Sequence, residues 1–292
     1  MQFENFFLAH STMLWGIFCL SIILGAIVNK TNFCTMGAIS DLINIGDASR
    51  MRSWFFAISI ALFGASIFEY FDLLNLSETF PPYRGNIFIF GENILGGLMF
   101  GIGMTLASGC GNKCLIRIGG GNLKSIFVFA IIGLVSYFML NPFPNSDKTL
   151  FSILFYDWLR PISIELSTNQ DIASLIPSEN QSTLRFFLGS IIGLVLLYFV
   201  FKSKEFRGNK DYWLGGLMVG LAVLFAWYLT ANLSINADGD SLGLNEYHEQ
   251  WDMFMDSDEK KPASGATLST QSFTFINPMG QTGAYLVKGF DT

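Results

Sequence analysis

Long apolar stretches alternate with short polar ones along most of the chain. Crossing about 30 Å of hydrocarbon takes roughly 20 helical residues, and six stretches are close to that length. They are predicted at residues 11–29, 53–72, 92–108, 122–140, 183–201 and 211–230. The pattern therefore predicts an all-α integral membrane protein, folded as a polytopic helical bundle.

The composition agrees with this class. The 292 residues are 51% hydrophobic and 14% charged, whereas soluble domains are about a quarter charged. The first apolar stretch is predicted to be a retained helix and not a secretory signal, because the first 29 residues contain no Lys or Arg.

The distribution of charge predicts an orientation. Four basic residues (Lys202, Lys204, Arg207 and Lys210) lie in one short loop, whereas residues 236–259 hold eight Asp or Glu and no Lys or Arg. Basic residues in short loops stay on the cytoplasmic side. We therefore predict that the N-terminus and the acidic loop 231–272 lie outside, with the basic loop inside.

Two segments do not fit simple spans. Residues 32–46 are apolar but short, which predicts a re-entrant half-helix, and residues 92–121 are rich in glycine. Irregular backbone at membrane depth is tolerated where it is buried in protein or lines a cavity. Short, glycine-interrupted segments are also the best sequence indicator of a transport site.

Near the end of the chain, Asn277-Pro278 is predicted to interrupt any helix early, since a proline disfavours helix for the residue before it. The chain stops where another span is expected to begin.

The four cysteines are Cys19, Cys34, Cys110 and Cys114, and all lie in or beside apolar or glycine-rich segments. This placement predicts free thiols instead of a disulfide framework. The side chain of Cys19 is expected to have only a packing role. Cys34 falls at the predicted start of the half-helix, where backbone N–H groups favour an anion; it could equally be a small buried hydrophobic residue.

Cys110 and Cys114 follow a CxxxC spacing. A structural zinc site typically needs four ligands, and the two histidines of the chain are far away in sequence, so neither metal nor cofactor is expected. A redox pair would lack the usual CxxC spacing. The remaining interpretation is a thiol lining a permeation path, with Gly109 and Gly111 leaving room for a substrate at the backbone.

Two motifs together resemble the YeeE/YedE family of sulfur-compound transporters of the bacterial inner membrane. Residues 32–41 (NFCTMGAISD) are similar to the family's FCxxGAxxD-like element, and residues 101–111 (GIGMTLASGCG) to its GxGMxxAxGCG element. Residues 117–123 and 273–280 resemble further segments of the family.

The resemblance implies a transporter, not an enzyme, built from two inverted repeats with cysteine-bearing half-helices. It implies that thiosulfate, or a related sulfur or selenium anion, passes by transient contacts with Cys34 and Cys110. The expected partners are this anion, the lipid bilayer and a cytosolic sulfur-carrier protein; no nucleic acid is expected.

The sequence departs from the family at two points. No cysteine follows Cys114, although the family's second repeat carries its own cysteine motif, and Lys113 and Cys114 are additions to the usual pattern. We predict a first repeat at residues 1–140, an extracytoplasmic loop at 141–182 and an incomplete second repeat at 183–292. Two alternatives remain: a membrane thiol enzyme that passes persulfide sulfur to a cytosolic carrier, and a non-catalytic fragment or partner subunit.

Overall fold

The computed structural model describes residues 2–4, 6–76, 79–80, 83–237, 240–250 and 269–287. Helices dominate these residues. They are α1 (Phe6–Thr31), α2 (Thr35–Asn44), α3 (Ser49–Tyr70), α4 (Phe90–Leu106), α5 (Gly111–Gly119), α6 (Leu123–Leu140), α7 (Asp157–Leu159, after a π-helical turn at Ser152–Tyr156), α8 (Gln181–Phe201), α9 (Lys204–Gly208), α10 (Lys210–Ala231), α11 (Leu244–Glu249) and α12 (Ile276–Val287).

Six of the described helical segments are long and apolar enough to cross a membrane. They coincide with the six predicted spans, and two of them, Phe6–Asn44 and Phe90–Gly119, each join a long helix to a short one. Large apolar side chains cover their outer surfaces, as at Trp15 (66% exposed) and Phe127 (73%). Exposed apolar surface of this kind contacts membrane or protein. The chain is a polytopic all-α membrane protein.

Strands are few and short in the described part of the chain. One sheet has the order β1 (Gln2–Phe3), β4 (Ser234–Ala237), β5 (Asp240–Gly243), with a parallel β1–β4 pair and an antiparallel β4–β5 pair. The other pairs β2 (Ile87–Phe88) with β3 (Ile164–Glu165) in antiparallel register.

The chain forms two compact units. The first contains the described residues up to Arg84 and those from Asp171 to Phe273. In it, α3 packs against α8 and α10, and glycines allow the close approach: a Cβ at Gly220 would lie 2.7 Å from the backbone oxygen of Ala57.

The second unit contains Gly85–Gln170 and the described residues from Thr274 onward. Here α5 packs on α6, and α12 packs along α6. These units reflect compactness and do not test sequence repetition, so the division into repeats at 1–140 and 183–292 stays a prediction.

The prediction for the last described segment was wrong. Asn277-Pro278 does not interrupt a helix but lies in the first turn of α12. The first four N–H groups of a helix have no acceptor within it, so the missing N–H of a proline there costs no hydrogen bond. A Cβ at Gly280 would lie 3.0 Å from the backbone oxygen of Ser136, which shows how closely α12 approaches α6.

Candidate functional site

The break between α1 and α2 is a regular helix cap. Asn32 adopts the left-handed conformation, with φ of 51°. The N–H of Phe33 donates to the carbonyl of Val28 over 3.2 Å, and the N–H of Asn32 donates to that of Asn29 over 3.4 Å. This pair of bonds is the Schellman motif that ends many helices. The chain then turns directly into Cys34, which has extended backbone.

The break between α4 and α5 repeats this geometry. Ser108 is left-handed, with φ of 58°. The N–H of Gly109 donates to the carbonyl of Met104 over 2.9 Å, and the N–H of Ser108 donates to that of Thr105 over 3.3 Å. As at the first break, a cysteine with extended backbone, Cys110, follows two residues after the left-handed residue.

Cys34 is the N-cap of α2. Its Sγ accepts a hydrogen bond from the N–H of Gly37 over 3.5 Å, and the side chain is half-buried. The sequence predicted Cys34 at the start of a short helix, and the structure places it there. The thiol therefore lies at the helix end where unpaired N–H groups and the helix dipole favour negative charge.

Cys110 is the N-cap of α5, but its side chain does not close the cap with a hydrogen bond. It too is half-buried. The two thiols thus share a backbone position and differ in their bonding: that of Cys34 is engaged by its own helix, whereas that of Cys110 is not.

The two glycines beside Cys110 differ in what they require. Gly109 has φ of 153°, and a Cβ there would lie 2.9 Å from the Cβ and Cγ of Lys113, so this position needs glycine. At Gly111 a Cβ would lie 3.8 Å from the Cβ of Phe275, which is ordinary contact.

The other two cysteines lie in different surroundings. Cys114 is only 1% exposed within α5, so a substrate could reach its thiol only after local opening. Cys19 is exposed on the surface of α1, within a segment long and apolar enough to cross a membrane. The assignment of Cys34, Cys110, Gly109, Gly111 and Cys114 to a substrate path stays a prediction, as does the pairing of Cys34 with Cys110, because these two thiols belong to different compact units.

Sequence reasoning missed the surroundings of Cys34. Arg50 and Trp54, one turn apart on α3, face the α1–α2 break: the guanidinium of Arg50 packs over Gly37, and the indole of Trp54 stacks on Phe33 with ring centroids 5.5 Å apart. The indole N–H of Trp54 is buried and donates to no described residue.

Within the described ranges, no three His, Cys, Asp or Glu side chains come together as a metal site. What the two breaks present instead is thiols and helix N-termini. Six apolar helical segments, two of them interrupted by a short helix that begins at a cysteine, define a polytopic membrane protein with two cysteine-bearing helix breaks.

The chain belongs to the sulphur transport family, whose model matches residues 30–263. This match confirms the resemblance to the YeeE/YedE family. The matched range includes both helix breaks, with Cys34 and Cys110.

Two relatives are called thiosulfate transporter TsuA. The protein from Spirochaeta thermophila is 25% identical over 125 residues, which are 43% of this chain and 36% of the relative. The protein from Escherichia coli is 26% identical over 128 residues, 43% of this chain and 34% of the relative. The chain thus aligns with about a third of the length of these curated relatives.

Proposed function

We propose that this chain takes up thiosulfate, or a related small sulfur or selenium anion, across the bacterial inner membrane. Membership of the sulphur transport family supports transport, and the names of the two relatives suggest the substrate. The observation that carries the proposal is the repeated arrangement in which Cys34 and Cys110 each occupy the N-cap position of a short helix inside an apolar segment.

The chemistry of the two caps suits a soft anion. A thiol is a weak S–H donor and a weak sulfur acceptor, so it can hold a sulfur anion briefly without trapping it. The first N–H groups of α2 and α5 add partial positive charge. In the proposed relay, the anion exchanges S–H contacts with Cys34 and Cys110 in turn, while Gly109, Gly111 and Cys114 shape the second position. No covalent bond forms.

Uptake of an anion also needs a driving force. Moving one negative charge inward against a negative-inside potential costs about 2.3 kcal/mol per 100 mV. We therefore propose that rapid consumption of the anion inside, or coupling to an ion, drives uptake.

The test is growth on thiosulfate as sole sulfur source in a strain without other thiosulfate importers. The parent chain should restore growth and uptake of ³⁵S-thiosulfate, and Cys34→Ala or Cys110→Ala should abolish both. Cys19→Ala, at an exposed position on α1, is the matched control and should behave like the parent. Full uptake by Cys110→Ala would overturn the relay, and failure of the well-expressed parent chain would leave a partner subunit as the better interpretation.

A second candidate is a membrane thiol protein that passes persulfide sulfur to a cytosolic carrier. One observation favours it: the Cys110 side chain makes no capping hydrogen bond and is not fully buried, so it is available for reaction. In the second candidate the Cys110 thiolate attacks the outer sulfur of thiosulfate, the S–S bond of thiosulfate breaks, and sulfite leaves. Mass spectrometry of the protein after thiosulfate turnover, with an assay for sulfite, distinguishes the two, because the relay leaves Cys110 as a free thiol and releases no sulfite, whereas the second candidate leaves a persulfide.

A further inference from the structure

Arg50, in the first turn of α3, is tied to α2. Its Nε lies 3.3 Å from Oδ2 of Asp41, and the two side chains are 33% and 23% exposed. Within the described part of the chain, this is the one ion pair that Arg50 makes. Asp41 contacts Nε of the guanidinium, which leaves Nη1 to lie beside a different part of α2.

Gly37 provides the space into which that end fits. A Cβ built on Gly37 would lie 2.7 Å from Nη1 of Arg50 and 3.6 Å from the Cβ of Cys34. Because both atoms flank this one point, Nη1 lies at most about 6.3 Å from the Cβ of Cys34. Any side chain at position 37 would force the guanidinium to leave its present position beside the first turn of α2.

The guanidinium is a permanent cation, and its Nη1 lies beside the first turn of α2, next to Cys34. Asp41 contacts the same group at Nε, and Asp47 is a second carboxylate close enough to interact with Arg50. Nη1 is therefore the part of the guanidinium that faces the thiol end of α2.

We propose that Arg50 is a specificity-determining residue that selects anions at the Cys34 thiol. Asp41 holds the guanidinium against α2, and Gly37 lets it reach the first turn. Its role in uptake rests on the proposed function, since it would favour an anionic sulfur compound over a neutral one at the first cysteine. The electrostatic selection itself can be measured without thiosulfate.

The experiment measures how fast Cys34 reacts with thiol reagents of opposite charge. A full-length chain with Cys19, Cys110 and Cys114 replaced by alanine leaves Cys34 as the single thiol. In detergent, its reaction rates with an anionic sulfonatoethyl and a cationic trimethylammonium-ethyl methanethiosulfonate give a ratio. Removing one positive charge about 6 Å away should change each rate about threefold in opposite directions under water-like screening, so Arg50→Gln should lower the ratio about tenfold.

Matched variants separate charge from folding. Arg52 lies on the same helix as Arg50, but its guanidinium donates to the carbonyl of Phe199. Arg52→Gln therefore removes a cation that does not face Cys34, and the ratio of the two reaction rates should stay at the parent value. Arg50→Lys keeps the charge and should keep most of the ratio. Gly37→Ala should lower the ratio by displacing Arg50, whereas Gly25→Ala, where a Cβ meets nothing within 4 Å, should not.

A ratio in Arg50→Gln within twofold of the parent, or a parent Cys34 that reacts with neither reagent, overturns the proposal. If Arg50→Gln does not fold, the Gly37→Ala and Arg50→Lys ratios decide it in the same way. Loss of uptake in Cys34→Ala tests the proposed function separately, because the reagent ratio needs no transport.

Discussion

The N–H of Gly37 donates to Sγ of Cys34 over 3.5 Å, so the thiol proposed to meet the substrate also caps the helix that begins beside it. The Cys34 side chain thus has a structural role as a helix cap and a proposed chemical role toward the substrate. Since serine is a better N-cap than alanine and has no thiol, substitution can separate the two.

Cys34→Ser should keep the fold and lose uptake. The serine hydroxyl can accept the N–H of Gly37, so the thermal midpoint in detergent should stay near that of the parent. Cys34→Ala loses the cap and should be less stable by about 0.5–1 kcal/mol, toward the low end for a lost N-cap because sulfur is a weak acceptor. If Cys34→Ser takes up ³⁵S-thiosulfate at the parent rate, the thiol has no part in transport.

Gly220 sets the distance between α10 and α3. A Cβ there would lie 2.7 Å from the backbone oxygen of Ala57 and 2.8 Å from the Cβ of Ile60. Because backbone cannot move aside, Gly220→Ala should cost about 1–3 kcal/mol of stability, as overpacking does. Gly25→Ala on α1, with open space around it, should be neutral or slightly stabilising. Equal thermal midpoints for the two variants would show that α3 and α10 do not pack this closely.

Hydropathy located the six spans because a membrane-spanning helix needs a minimum length and an apolar composition, and both can be read from a short stretch of sequence. It also located the two irregular segments, since a short apolar run and a cluster of glycines are local signals. The start of α12 was missed because a proline pattern does not tell a helix interior from a first turn. The contact of Arg50 with Gly37 was missed because it joins α2 to α3, and no local pattern records which side chains meet across a helix pair.

A ring of charges joins the ends of α3 and α8 to the loops beside them. Its members are Glu69, Arg84, Asp171 and Arg185, with side chains 12–18% exposed. Arg185 Nη2 lies 2.9 Å and Arg84 Nε 3.2 Å from Oδ2 of Asp171. Burial raises the pKa of the Asp171 carboxyl, but hydrogen bonds from Ser174 and the two guanidinium groups outweigh burial and hold the pKa below its ordinary value.

The ionised Asp171 carboxylate should therefore make the stability of the folded protein depend on pH. A carboxyl whose pKa is lower in the folded state stabilises above its unfolded pKa of about 4, and this stability is lost as pH falls through the folded pKa. Asp171→Asn should cost about 1.5–3 kcal/mol at neutral pH, the value of hydrogen bonds to charged groups, and should flatten the decline of the thermal midpoint below pH 4. Asp157→Asn, at an exposed carboxylate outside the ring, is the control. An unchanged acid profile in Asp171→Asn would show that the ring does not stabilise the fold.

The proposed orientation can be tested across a single helix. Glu179 and Lys204 are exposed and flank α8 (Gln181–Phe201), so if α8 crosses the membrane these two positions must lie on opposite faces. In a cysteine-free chain, Glu179→Cys should react with a membrane-impermeant maleimide on intact cells, and Lys204→Cys should react only after permeabilisation, because the basic loop stays inside. The reverse result would invert the orientation and place the N-terminus inside. Labelling of both positions from one side would mean that α8 does not span the membrane.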